Sequence, residues 1–273
     1  MKNSEKSGLF VNVSVASIHA KAEFASEVVT QALLGEELEV LEINSEWLKI
    51  RQWDGYEGWL NQFFGARVSE EYLAGVKSDQ AMIVGDLFGD VYEEADRTMP
   101  VVRDLVYGDR LVSLEDKNGW RQVLLPDGES GWTDSGPQRD FSVHLRETLV
   151  KEARRFLGIQ YLWGGKSPKG FDCSGFVQTV MKQRIPLPRD THLQVDHPGL
   201  EDIGPEEVEK GDLIFFGTNG RSVDHVAISL GGDEFIHCSG FVKIDTLDVD
   251  SARSSDRSKR RIVVVKSIER YCN

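Results

Sequence analysis

Gly170-Phe171-Asp172-Cys173-Ser174-Gly175-Phe176 carries the chain out of a glycine-containing loop, past an acidic residue and a cysteine, and into an apolar helical stripe of Phe176, Val177, Val180 and Met181. Asp172 is of the residue type that caps helix N-termini, which places Cys173 in the first turn. The aligned peptide dipoles there favour a thiolate, and such sites pull a cysteine pKa from about 8.5 into the range of roughly 3.5–7.5. A thiol in that position becomes a nucleophile near neutral pH. The alternative for a free cysteine is a small buried hydrophobe, which is the reading given to Cys238 and Cys272. On position alone Cys173 fits either role.

Working outward, Leu149, Val150, Ala153, Phe156 and Leu157 form a helical stripe over Arg146–Leu157, with Gly158 at the C-cap position. Downstream come strand-like runs at Leu213–Phe216, His225–Leu230, Glu234–Cys238 and Ile262–Ile268. Helices first and antiparallel strands later predict an α+β domain over residues 145–273. The polar, basic stretch between Ser251 and Arg261 reads as a solvated loop.

Two histidines shift the balance at Cys173. His225 opens the run His225-Val226-Ala227-Ile228-Ser229-Leu230, Gly231-Gly232 turns the chain, and His237 lies on the returning strand. Alternate strand residues share a face, so a hairpin whose faces coincide presents both imidazoles to one side. One then deprotonates the thiol, while the second accepts the first one's other N–H and fixes its tautomer. His19, His144, His192 and His197 have no comparable arrangement and read as surface or structural.

The N-terminal half repeats itself at an offset of 73 residues. Gly35, Leu38, Leu41, Trp47, Ile50, Asp54, Gly55, Gly58 and Trp59 align without a gap with Gly108, Leu111, Leu114, Trp120, Val123, Asp127, Gly128, Gly131 and Trp132. Short alternating runs broken by Asp-Gly turns predict two small antiparallel β-barrels, over residues 1–70 (the repeat itself from about residue 8) and 76–138. Trp47 and Trp120 are expected in the cores.

Length and composition are consistent with this division, since 273 residues suit two or three domains. With 40% apolar and 28% charged residues the chain is a folded one, and its formal charge of −13 disfavours nucleic acid or an anionic membrane as partner. Three cysteines without C-x-x-C spacing fit neither a disulfide framework nor a zinc knuckle. No apolar run of roughly 18 residues predicts a membrane span. The N-terminal residues carry no signal-peptide core, which points to a cytoplasmic chain.

Tyr161-Leu162-Trp163-Gly164-Gly165, Phe171-Asp172-Cys173-Ser174-Gly175-Phe176, Gly211-Asp212-Leu213-Ile214-Phe215-Phe216, and His225-Val226-Ala227-Ile228 with Ile236-His237 resemble the NlpC-type cell-wall cysteine peptidases. That resemblance implies a papain-like domain using Cys173, His225 and His237, with the Tyr161 hydroxyl supporting the oxyanion and no metal or cofactor. The spacing of glycine, W-x-x-V/I and D-G-x-x-G-W resembles bacterial SH3-like domains. Two such barrels before this domain, with Pro188-Arg189-Asp190-Thr191 after the nucleophile helix, are similar to γ-D-glutamyl-L-diamino-acid endopeptidases. This implies peptidoglycan-derived peptides, L-Ala-γ-D-Glu-diamino acid, as substrates, bound through Trp163, Ser174, Arg189, Asp190 and Thr191. An ammonium in a closed site needs a carboxylate, and Asp190 can supply it. An acidic residue of the first barrel, among several Glu residues, would help to hold the amine. Arg189 either pairs with a substrate carboxylate or braces its loop. The competing functions are an amidase or acyltransferase of the same superfamily, and a non-catalytic wall-binding protein.

Overall fold

A computed structural model describes residues 8–141, 143–218, 220–248 and 261–272, which part into two compact units at Arg139/Asp140. The predicted loop at 251–260 lies outside the described residues. Among those described, no helix is long and apolar enough to cross a membrane.

The first unit contains the repeat as two antiparallel sheets. In spatial order the first runs Val28–Leu33, Val15–His19, Glu57–Asn61, Trp47–Arg51, Glu37–Asn44, Leu9–Val11 and Gly65–Arg67. The second runs Val101–Val106, Phe88–Tyr92, Ser130–Thr133, Trp120–Leu124, Arg110–Lys117 and Ala81–Ile83, the same order strand for strand without the last. The Asp-Gly turns work alike in both copies. Gly55 and Gly128 have φ of 82° and 89°, and the preceding aspartates accept from Tyr56 N–H and Glu129 N–H at 3.0 and 3.1 Å.

The two copies are also joined. Leu34, from the first, lies in the core cluster of the second beside Met82, Val84, Val91, Leu105, Leu111, Val123 and Leu125. Its N–H donates to the buried Asp109 carboxylate at 3.1 Å, and its carbonyl accepts from Arg110 N–H at 2.8 Å. Gly35 follows with φ 74°, and a Cβ there would stand 2.1 Å from the Arg110 carbonyl oxygen. Leu34→Ala should therefore cost about 3 kcal/mol in the repeat that does not contain it. Urea unfolding followed by fluorescence reads this directly, because five of the six tryptophans precede residue 139.

Two features differ from the sequence reading. A helix, Glu70–Val76, links the copies, capped by Ser69, whose hydroxyl accepts from Tyr72 N–H at 3.2 Å. It inserts Tyr72 and Val76 between Phe10 of the first copy and Val112 and Leu124 of the second. Trp47 is buried as expected, but Trp120 is half-buried. The reason is local. Trp47 is closed over by His19 and Phe24, whereas the residue aligned with Phe24 is Arg97, which turns away to pair with Asp134.

In the second unit helices precede an antiparallel sheet. The helices Leu145–Arg155 and Cys173–Met181 and the short helix Thr191–Gln194 come before all strands of a six-stranded sheet. Its order is Glu201–Ile203, Arg261–Ser267, Leu213–Gly217, His225–Gly231, Glu234–Ser239 and Phe241–Thr246. The helix Cys173–Met181 packs against the two strands carrying the histidines. Phe156, Phe171 and Phe176 pack edge to face beneath its start, with centroids 5.3–6.2 Å apart.

Candidate active site

Cys173 is the first residue of its helix, and Asp172 caps it by accepting from Gly175 N–H at 2.7 Å. The close approach is possible because position 175 is glycine: a Cβ there would lie 2.1 Å from the Gly165 carbonyl oxygen. The other Asp172 oxygen accepts from Gly164 N–H at 3.0 Å, so one carboxylate ties the Tyr161–Gly165 loop to the helix start. Around the sulfur stand the Thr191 hydroxyl, 3.8 Å away, and backbone groups of Val226 and Ser174 within hydrogen-bonding reach. The Val226 contact sets the nucleophile against the first residues of the strand that begins at His225.

The two histidines lie on one face of their hairpin. The turn uses Gly231 and Gly232 at φ 89° and 60°, and Ile228 opposite Ile236 fixes the register. His225 Nε2 and His237 Nδ1 are 2.7 Å apart, their rings at 78°, and both residues are 3% exposed. Phe216 packs on His225 and Phe235 on His237, which limits ring rotation.

The electrostatics differ in sign from the sequence expectation. Burial pushes the Cys173 thiol up, and the Asp172 carboxylate adds to this; the Thr191 hydroxyl and the Val226 and Ser174 backbone oppose it. The residue is half-buried, and the partial loss of water around the sulfur works against the helix terminus. Tyr161 is pushed up to about 12, first by burial and then by the Cys173 charge, so its phenol stays protonated and able to donate. Cys238 is likewise pushed up to about 12 by burial, and its S–H donates to the Phe171 carbonyl at 3.1 Å.

The substrate-binding expectations divide into two groups. Trp163 is 62% exposed on the loop held by Asp172. Asp190 is half-buried, and its carboxylate caps no helix N–H although it stands at the N-cap of Thr191–Gln194. Both side chains are accessible. Arg189 and Ser174 are placed differently. Arg189 is 1% exposed, and its guanidinium grips both Asp172 oxygens, with Nη1 at 2.9 Å from Oδ1 and 2.9 Å from the Ser174 hydroxyl. It braces the nucleophile loop from inside and presents no donor to a substrate. Ser174 is buried in the same network.

Asp245, which the sequence reading passed over, also belongs here. It lies on the strand Phe241–Thr246 with Oδ2 3.8 Å from His237 Nε2. Its only sequence signal is an acid at an alternate position of a short strand, and that signal does not reveal its partner.

Residues 158–263 match the NlpC/P60 family, and residues 18–62 match the SH3 domain of bacterial dipeptidyl-peptidases. A γ-D-glutamyl-L-lysine dipeptidyl-peptidase of Bacillus cereus is 32% identical over 237 residues, covering 78% of this chain and 68% of the relative. Dipeptidyl-peptidase 6 of Lysinibacillus sphaericus is 27% identical over 253 residues, 86% of this chain and 89% of its own. A crystal structure of an NlpC/P60 family protein from Bacillus cereus shares the fold, with a TM-score of 0.78 over 94% of this chain and 100% of that one at 24% identity. With these relatives, a cysteine at a helix start and a buried histidine pair on the sheet that this helix packs against, the chain belongs to the NlpC/P60 family and is a cysteine peptidase.

Proposed function

We propose that the protein is a γ-D-glutamyl-L-diamino-acid endopeptidase that cuts cell-wall stem peptides bearing a free N-terminal L-alanine. Its second unit would be the papain-like catalytic domain and its two repeats SH3-like domains. The observation that carries the reading is Asp190, an uncapped, accessible carboxylate directly before Thr191, whose hydroxyl lies 3.8 Å from the Cys173 sulfur. An accessible carboxylate on the segment that also carries Thr191 suits a substrate ammonium, and its pull on a short peptide would bring the γ-glutamyl carbonyl towards the sulfur.

In the reaction, His225 takes the Cys173 proton and the thiolate attacks the γ-glutamyl carbonyl carbon, forming a C–S bond. The oxyanion forms near the Cys173 N–H at the helix start and the Tyr161 hydroxyl. On collapse the C–N bond breaks, and the proton held by the histidine pair goes to the leaving amine. Water, deprotonated by the same pair, releases L-Ala-D-Glu from the thioester. A preference for liberated peptides fits a cytoplasmic enzyme of wall-peptide recycling.

The test compares L-Ala-γ-D-Glu-diaminopimelate with the same peptide acetylated at its amine. Capping should lower kcat/KM by roughly 100-fold or more, because it leaves the Asp190 charge without a counter-ion in the complex. Equal cleavage of the two peptides would remove the amine-recognition reading.

A further inference from the structure

His237 and Asp245 meet because of strand register. In the antiparallel pair of Glu234–Ser239 with Phe241–Thr246, Phe235 stands opposite Asp245 and His237 opposite Lys243. Opposed residues share a face, so all four side chains lie on one side and Asp245 is the diagonal neighbour of His237. Both side chains are 4% exposed. Asp245 Oδ1 accepts from Thr246 N–H at 2.9 Å, while Oδ2 faces His237 Nε2 at 3.8 Å. On its far side, His237 Nδ1 is 2.7 Å from His225 Nε2.

We propose that Asp245 is a positioning residue that sets the direction of the histidine relay and stabilises the charge it acquires. A neutral imidazole carries one ring proton. A carboxylate beside Nε2 draws that proton to Nε2, which leaves Nδ1 of His237 an acceptor. His225 must then donate from its Nε2, so its Nδ1 keeps the lone pair that receives the thiol proton. With the tautomer of His237 reversed, His225 would carry its proton on Nδ1 and could not act as a base towards Cys173. Once the thiol proton has been transferred, the positive charge on the pair lies within ion-pair range of Asp245 in a dry site, where such attraction is strong. Among the described residues, the charged or titratable groups set beside His237 are His225 on the neighbouring strand and Lys243 directly opposite. The Lys243 ammonium lies over the Phe241 ring, 5.7 Å from its centroid.

The inference rests on Cys173, His225 and His237 as the reacting set, and it is independent of which peptide is cut. The experiment uses the full chain as wild type, Asp245→Asn and Asp245→Glu, with thermal unfolding measured alongside. Losing the charge makes the protonated pair give up its proton at lower pH. The acid limb of kcat/KM, below which the pair is already protonated and cannot take the thiol proton, should accordingly move down by about one pH unit in the Asn variant. Its kcat should fall about tenfold with KM within twofold, and the Glu variant should restore the limb. An unmoved limb in Asp245→Asn, or a loss of activity that only follows a loss of fold, overturns the proposal. Two readouts need no substrate: the pH dependence of Cys173 alkylation in the same variants, and the ring-nitrogen shifts of 15N-histidine in the wild type. The second decides the matter even where Asp245→Asn does not fold. His237 protonated at Nε2 supports the relay as described, and protonation at Nδ1 overturns it. A wrong substrate assignment would change neither readout.

Discussion

Cys173→Ala should lower kcat/KM for γ-D-glutamyl peptides by roughly 10⁴-fold or more and leave the unfolding midpoint nearly unchanged. The two halves of this result have separate causes. Cys238 cannot substitute for it, being fully buried with its thiol held protonated by that burial. The helix, by contrast, begins because Asp172 caps Gly175 N–H, and alanine at position 173 disturbs neither that bond nor the packing of Phe176. His225→Ala separates activation from position. Burial raises the Cys173 thiol, so without the base the cysteine should react with iodoacetamide no faster than Cys272, whereas in the wild type it should react first. Equal rates in the wild type would mean that His225 does not activate Cys173.

Arg189→Met is expected to be the most damaging change to stability in the catalytic unit. It leaves the buried Asp172 carboxylate without its counter-ion, and breaking one side of such a pair costs about 3–5 kcal/mol. Activity should fall in the same variant, because Asp172 holds both Gly164 N–H of the Trp163 loop and Gly175 N–H of the nucleophile helix. Adding Asp172→Asn should recover part of the stability, since the stranded charge is then removed too. Chemical denaturation of the single and double variants measures this. Had Arg189 served the substrate, its loss would raise KM and spare stability, so the balance between those two effects tells brace from binding group.

Much of this organisation is legible in the sequence where the cause is local. The 73-residue repeat shows because alternating side chains and Asp-Gly turns leave the same imprint twice, and the two sheets have one strand order. The cap at Asp172 and the hairpin at Gly231-Gly232 are of the same kind: each depends on residues within three or four positions. The helix Glu70–Val76 escapes because its seven residues span only two turns, too few for periodicity, and its buried residues find partners in both repeats. Trp120 escapes because its exposure is decided by Arg97, more than twenty positions away.

What the residues determined by themselves is the chemistry on offer: a cysteine at a helix start, two imidazoles spaced to share a hairpin face, a tyrosine in the preceding loop, and an aspartate before Thr191. The tertiary structure decided how that chemistry is used. It buried Arg189 against Asp172 as a brace and reversed the direction in which the surroundings push the Cys173 thiol. It also brought Asp245 to the back of His237. Each of these outcomes depends on burial and on register between strands far apart in the chain, and a residue's surroundings of that kind exist only once the sheet has formed.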